Sequence, residues 1–258
     1  MKWCILALIL SLNLSACGSM FAQESTGLSA SCQDTVNELR TMLARVNEPP
    51  SYLVKGEGKK GGEFDVNQYF SILDHLSLQE GFVLDYIYYP GKIEGAPILY
   101  PRRLNQSAYR TYAELTEAEG NQYTLRSSAF HTSIQVVDSE TGFLQFVILR
   151  VMGNQFYLYW HAKYNDYKVI CNPADLEAAL LDESNNPRMS NWVKWRARRL
   201  QPEPQVAMQD DEVQVKVVVF TAWGGFIQRT YTISRQFPHT IIDEQKKTLV
   251  PYDCGSIY

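Results

Sequence analysis

Residues 141–171 read TGFLQFVILRVMGNQFYLYWHAKYNDYKVIC, and how they pair sets the rest of the chain. The apolar run 143–152, the turn pair Gly153-Asn154, the aromatic run 155–163, a second turn at Asn165-Asp166 and the short piece 168–171 predict two successive hairpins. Two-residue loops of Gly, Asn and Asp suit the primed turns that match strand twist. A two-residue loop fixes register, so Met152 is expected opposite Gln155, Arg150 opposite Tyr157, Ile148 opposite Tyr159 and Phe146 opposite His161. Alternation then gives one apolar core face, with Val147, Leu149, Val151, Phe156, Leu158, Trp160 and Ala162. The other face carries Phe146, Ile148, Arg150, Tyr157, Tyr159 and His161. Counting back through the loop 138–142 adds His131, Ser133 and Gln135 to it.

Two readings of that second face stand side by side. One sheet face is commonly wet, and Tyr, His and Arg are ordinary there. Alternatively it is a ligand face, with Arg150 as a fork for a carboxylate or phosphate and Tyr157, Tyr159, His161 and His131 around it. A catalytic variant makes His161 the general base of a hydrolase and requires a carboxylate within hydrogen-bond reach. The register places Cys171 on the core face, away from His161, which argues against a Cys/His nucleophile.

Working outward, residues 1–16 have Lys2, an apolar run and then small residues, the pattern of an export signal too short to span a bilayer. The four residues Leu14-Ser15-Ala16-Cys17 resemble the lipobox of bacterial lipoproteins. That resemblance implies an acylated Cys17 as the first mature residue, a polar tether over 17–30, and residence in the cell envelope. Gly18 stands where such proteins carry Asp for inner-membrane retention, so the expected address is the outer membrane of a cell that has one. Ordinary cleavage after Ala22 is the competing reading. The resemblance says nothing of activity.

Net charge of −4 argues against a nucleic-acid partner, which needs a dominant basic face. Of five cysteines, Cys4 falls in the leader and Cys17 takes lipid, leaving Cys32, Cys171 and Cys254. One bridge fits an exported protein; Cys171 with Cys254 is favoured, although spacing leaves the pairing open. No HExxH, GxSxG, SxxK or metal-spaced Cys/His cluster is present, and four scattered histidines do not suggest a metal site. No catalytic residue, metal or cofactor is assigned.

Elsewhere, helices are expected over 31–46, 65–76, 107–119 and 173–181, with a strand over 82–89 and a C-terminal meander over 213–250. Gly56-Glu57-Gly58-Lys59-Lys60-Gly61 matches GxGxxG but lacks the strand before it and the helix after it, so it reads as a surface loop. A helix over 190–200 carries Trp192 and Trp195 among Lys194, Arg196, Arg198 and Arg199. Its indoles either face the core or lie outside, against anionic lipid or polymer.

The expected architecture is a single α+β domain over 31–258: an antiparallel meander covered on one face by N-terminal helices, with further C-terminal hairpins. The expected role is a lipid-anchored envelope protein, without catalysis, that binds a small molecule or a protein partner. A hydrolase and a purely structural lipoprotein are the alternatives.

Overall fold

The computed structural model describes residues 18–124, 129–182 and 189–255, excepting the side chains of residues 18–26 and 121. The leader over 1–16 and the lipidation site Cys17 lie outside these. In chain order the elements are α1 (Gly18–Leu43), α2 (Ser51–Val54), β1 (Leu76–Leu78), β2 (Phe82–Pro90), β3 (Glu94–Arg103), α3 (Tyr112–Glu119), β4 (Ile134–Val136), α4 (Glu140–Met152), β5 (Tyr159–Trp160), β6 (Lys168–Ile170), α5 (Pro173–Leu181), α6 (Asn191–Ala197), β7 (Gln205–Met208), β8 (Glu212–Thr221), β9 (Gly225–Ser234) and β10 (Ile241–Val250), with short 3-10 turns between. The class is α+β, with antiparallel sheets, an N-terminal helix packed against them and C-terminal strand hairpins. No helix among the described residues is long and apolar enough to cross a membrane.

Neither of the two hairpins expected over 143–171 is formed: β5 pairs with β3 and β6 with β8. Residues 140–152 are the helix α4, buried on every side from Gly142 to Leu149. A helix sunk in a core has no polar stripe, so its sequence reads like a buried strand. Its ends are marked. Ser139 caps it by accepting from Gly142 N at 3.1 Å, Glu140 lies in the first turn, and Arg150 lies in the last, where the helix dipole favours a cation. Gly142 is needed there because an added Cβ would lie 2.1 Å from Val137 O. Gln145 is buried in the same helix and both ends of its amide are used: Oε1 accepts from His75 N and Nε2 donates to Asp74, each at 2.9 Å.

Around α4 the sheets arrange themselves. The largest has the order β10-β9-β8-β6, with β7 also paired to β8. β8 and β9 run in register from Glu212↔Ser234 to Thr221↔Gly225. One face of this sheet turns Val213, Val215, Val217, Val219, Tyr231 and Ile233 into the cluster shared with α1 and α4. The other turns Val218, Phe220, Phe226 and Val250 toward α5 and α6. β2 and β3 form a long hairpin, and β5 adds two residues to its edge through Glu94↔Trp160 and Gly95↔Tyr159. β1 pairs with β4 over three residues.

The disulfide joins Cys32 to Cys171, not Cys171 to Cys254. Cys171 belongs to the α1 side of the large sheet, whereas Cys254 packs on the opposite side, so the sheet separates the expected pair. Around the bridge, Ser29 Oγ donates to Cys171 O at 2.8 Å, and Gln33 bonds to both Asn172 and Asp175 at the start of α5. Among the described residues α1 already runs from Gly18, ahead of the capping pattern at Ser31, so residues 18–30 are helix and not the expected tether, with Leu28 and Ser29 buried, and α1 is fastened to the β6–α5 junction.

Candidate functional site

A cleft of about 470 Å³ opens where the last turn of α4 meets the large sheet on one side and the β3–β5 edge on the other. Four side chains give it its character: Arg150 from α4, Arg229 from β9, and Glu244 and Lys246 from β10. The alternation of β9 places Arg229 on the inner face with Tyr231 and Ile233, and the register puts Lys246 directly opposite it and Glu244 opposite Tyr231. Like charges opposite each other repel. Glu244, two residues along and on the same face, offsets them. It accepts from Arg229 Nε at 3.1 Å and from Nη2, and it lies 3.6 Å from Arg150 Nη2 and 3.4 Å from Lys246 Nζ.

One carboxylate thus serves three cations. Burial alone would raise the Glu244 pKa, but the hydrogen bonds and charge of Arg229, with Arg150 and Lys246, hold it below the usual carboxylate range. Arg229 is 4% exposed; burial opposes its charge, yet Tyr231 and Glu244 keep its pKa above the ordinary value. Its guanidinium lies 5.0 Å from the Tyr167 ring centre and 5.4 Å from that of Tyr231. Among the described residues nothing accepts from the buried Nε of Arg150, and the buried Tyr231 hydroxyl likewise has no hydrogen-bond partner. Glu94 also lines the cleft, so three cations face two carboxylates there and one positive charge is left over. Such a floor is suited to holding an anion with one or more oxygens.

Of the residues expected to share a face, only Arg150 reaches this cleft. Tyr157 is buried against Tyr86 and Phe156 and donates its backbone N–H to Val46 O at 3.1 Å. Tyr159 is on the partly exposed β5 edge. His161 has its ring between the indoles of Trp160 and Trp223, at 4.8 and 5.5 Å. His131 is buried beside Phe130 and Phe146, with ring centres 3.9 and 4.9 Å away. The convergence expected on one face depended on strand alternation through residues 143–152, and a helix turns those positions about 100° apart instead of 180°.

The segment carrying three of these residues has its own peculiarity. Tyr157 and Trp160 both have left-handed φ, 50° and 48°. Strain of that kind, on the order of 1 kcal/mol each, persists only where surroundings fix it. Between them Leu158 turns into the cleft against Ala96 and Ala162.

Arg229, Glu244 and Lys246 were not singled out in the sequence. A signal existed: Arg229 occupies an inward position in an otherwise apolar alternation of β9, and a charge there requires a partner.

Two other constellations are accounted for by the fold. The GxGxxG loop does form a nest of backbone N–H groups, but the chain's own Glu63 fills it: Lys60 N and Gly61 N donate to the carboxylate at 2.6 and 2.9 Å, and Tyr52 OH donates at 2.8 Å. That bond to Glu63 pushes the Tyr52 pKa up to about 12. Ser139 Oγ lies 3.3 Å from His75 Nδ1, and His75 Nε2 lies 3.9 Å from Asp74. These are the residue types of a hydrolytic triad. Yet Ser139 is engaged as the cap of α4, and the carboxylate stands beyond hydrogen-bond reach. Among the described residues no group of three or more His, Cys, Asp or Glu is placed to hold a metal ion. Comparison of the chain with protein-family models, with curated proteins and with solved structures finds no match in any of the three.

Proposed function

We propose that this chain is a lipid-anchored protein of the bacterial cell envelope that binds a small anionic molecule, without transforming it, in the cleft between α4 and the β9–β10 edge. The carrying observation is that Arg150, Arg229 and Lys246 share the carboxylate of Glu244, with Arg150 Nε unbonded among the described residues. A carboxylate or phosphate ligand supplies the missing charge and acceptors, and Leu158, Ala96 and Ala162 offer apolar surface for its carbon skeleton. The envelope part of the reading rests on the leader and on Leu14-Ser15-Ala16-Cys17.

Thermal-shift measurements test the cleft. Phosphate, di- and tricarboxylates and sugar phosphates are expected to raise Tm above the effect of chloride at equal ionic strength, by an amount that follows RT ln(1 + [L]/Kd). Arg150→Ala is expected to abolish that rise. Stabilisation by neutral sugars and by no anion would exclude the proposal. Intact-mass measurement of the protein recovered from its cell tests the anchor: the mature chain begins at Cys17 and carries acyl groups, whereas an unmodified chain beginning after Ala22 would rule the anchor out.

A further inference from the structure

The short helix α6 carries a surface the cleft does not use. Its inner stripe is Val193 and Ala197, spaced i, i+4, continued by Leu200 just past the helix end, and it packs on Ile170, Leu176, Leu180 and the outer face of the large sheet. The outer stripe is Trp192, Trp195 and Arg196, spaced i, i+3, i+4, and Arg199 extends it from the turn that follows the helix. So the indoles face outward, and the reading that buries them is wrong. Trp192 is 60% exposed and Trp195 49%.

Each indole carries a guanidinium one turn on. Arg196 lies 4.7 Å from the ring centre of Trp192, and Arg199 lies 3.6 Å from that of Trp195. From Ser190 to Pro202 the chain has no acidic residue and four cations, Lys194, Arg196, Arg198 and Arg199. Arg198 is neutralised by Glu177 through bonds of 2.7 and 3.0 Å. Arg196 donates to the Leu249 carbonyl, which carries no charge. Among the described residues Lys194, Arg196 and Arg199 have no ion pair, and Arg196 and Arg199 lie beside the two exposed indoles.

An indole has an apolar body and a polar N–H, so its preferred place is a boundary between hydrocarbon and water. A bilayer of anionic lipids offers such a boundary together with phosphates for the cations. A soluble anionic polymer offers the charge without the hydrocarbon. We propose that the outer stripe of α6 docks on the surface of an anionic lipid bilayer, with Trp192 and Trp195 in the headgroup region and Arg196 and Arg199 on lipid phosphates. Docking is a contact of the folded domain itself and does not depend on the Cys17 lipid or on the anion cleft.

The test uses the full chain, with Trp3→Phe throughout so that the apolar leader contributes no indole, and phosphatidylcholine vesicles, with and without phosphatidylglycerol, containing lipids brominated on the acyl chain to quench inserted indoles. Quenching is expected only with phosphatidylglycerol, and Trp192→Phe/Trp195→Phe is expected to remove it although Trp160 and Trp223 remain. At about fivefold per cation near an anionic surface, Arg196→Gln/Arg199→Gln is expected to lower the docked-to-undocked ratio roughly 30-fold at low salt, and Arg196→Lys/Arg199→Lys to restore it. The Trp3→Phe protein with α6 intact gives an independent readout, because molar salt must release the quenching. Equal quenching on both kinds of vesicle, no quenching on either, or binding to a soluble anionic polysaccharide with the vesicles left unquenched would each overturn the proposal. So would quenching that survives the double Phe variant.

Discussion

Replacing Glu244 with Gln keeps the shape of the side chain and one acceptor oxygen while removing the charge that Arg229, Arg150 and Lys246 share. Arg229 is 4% exposed and gains little water in return. Removing one partner of a buried pair costs ~3–5 kcal/mol. The Glu244 side chain is 19% exposed and the amide oxygen still accepts from Arg229, so the lower end applies, about 3 kcal/mol. At ~2–4 °C per kcal/mol for a domain of this size, Tm falls by about 6–12 °C. The same substitution frees three cations for an external anion. Thermal unfolding followed by circular dichroism, in a titration of phosphate or citrate at constant ionic strength, is then expected to show a larger stabilisation of Glu244→Gln than of wild type. An anion at a hundred times its Kd restores about 2.7 kcal/mol, nearly the whole loss. A variant within about 2 °C of wild type would refute the electrostatic account of the cleft, and a variant that falls but is not rescued by anions would refute its use as an anion site.

The folded-state pKa of Glu244 lies below its unfolded value, so its stabilising share is present above the unfolded carboxylate pKa and is lost as pH falls through the folded one; Tm against pH is expected to decline less steeply in the acid range for Glu244→Gln than for wild type. Cys32→Ser opens a bridge that spans 139 residues, and the loop-entropy relation puts the loss at roughly 5 kcal/mol; denaturant unfolding of wild type with and without reductant is expected to reproduce that difference. Gly225 ends the β8–β9 hairpin with φ 77° and would place a Cβ 2.2 Å from Val250 O, so Gly225→Ala is expected to cost more than 1 kcal/mol by chemical denaturation and to be tolerated worse than Gly61→Ala, whose Cβ would meet open space.

Local signals in the sequence located most elements and missed the central one. Asn172-Pro173-Asp175 announced α5, which ends at Leu181 as the pattern requires, and Asn172 Oδ1 accepts from Asp175 N at 2.9 Å. Thr111 and Gly120 bound α3, though the helix is shorter than the segment from Ser107 suggested. Asp65 caps its turn by accepting from Asn67 N at 3.0 Å, but the six residues after it form a 3-10 helix. The turn at Trp223-Gly224-Gly225 and the alternation on either side gave the β8–β9 hairpin nearly to the residue. What failed was periodicity in FLQFVILRVM, where burial on all sides removes the contrast that tells 3.6 from 2. Ser139 and Glu140 ahead of the run, and its ten-residue length, were the surviving helical signals. Because that one segment was turned, Arg150 lines the cleft while Tyr157, Tyr159, His161 and His131 scattered. Its partners Arg229, Glu244 and Lys246 are brought in by pairing across β9 and β10, which no local pattern reports.

The bridge between Cys32 and Cys171 also determines how the molecule bears a pull. When the N-terminus is held and force is applied beyond β10, tension runs along α1 to Cys32, crosses the two sulfurs to Cys171 and continues into α5. The 139-residue separation between the two cysteines lies off this path, so α4, the β2–β3 hairpin and Arg150 feel no direct load. Arg229 and Glu244, on β9 and β10, remain on it. One wall of the cleft is mechanically shielded and the other is in line, so traction on a tethered molecule would act across the three-cation floor as a shear.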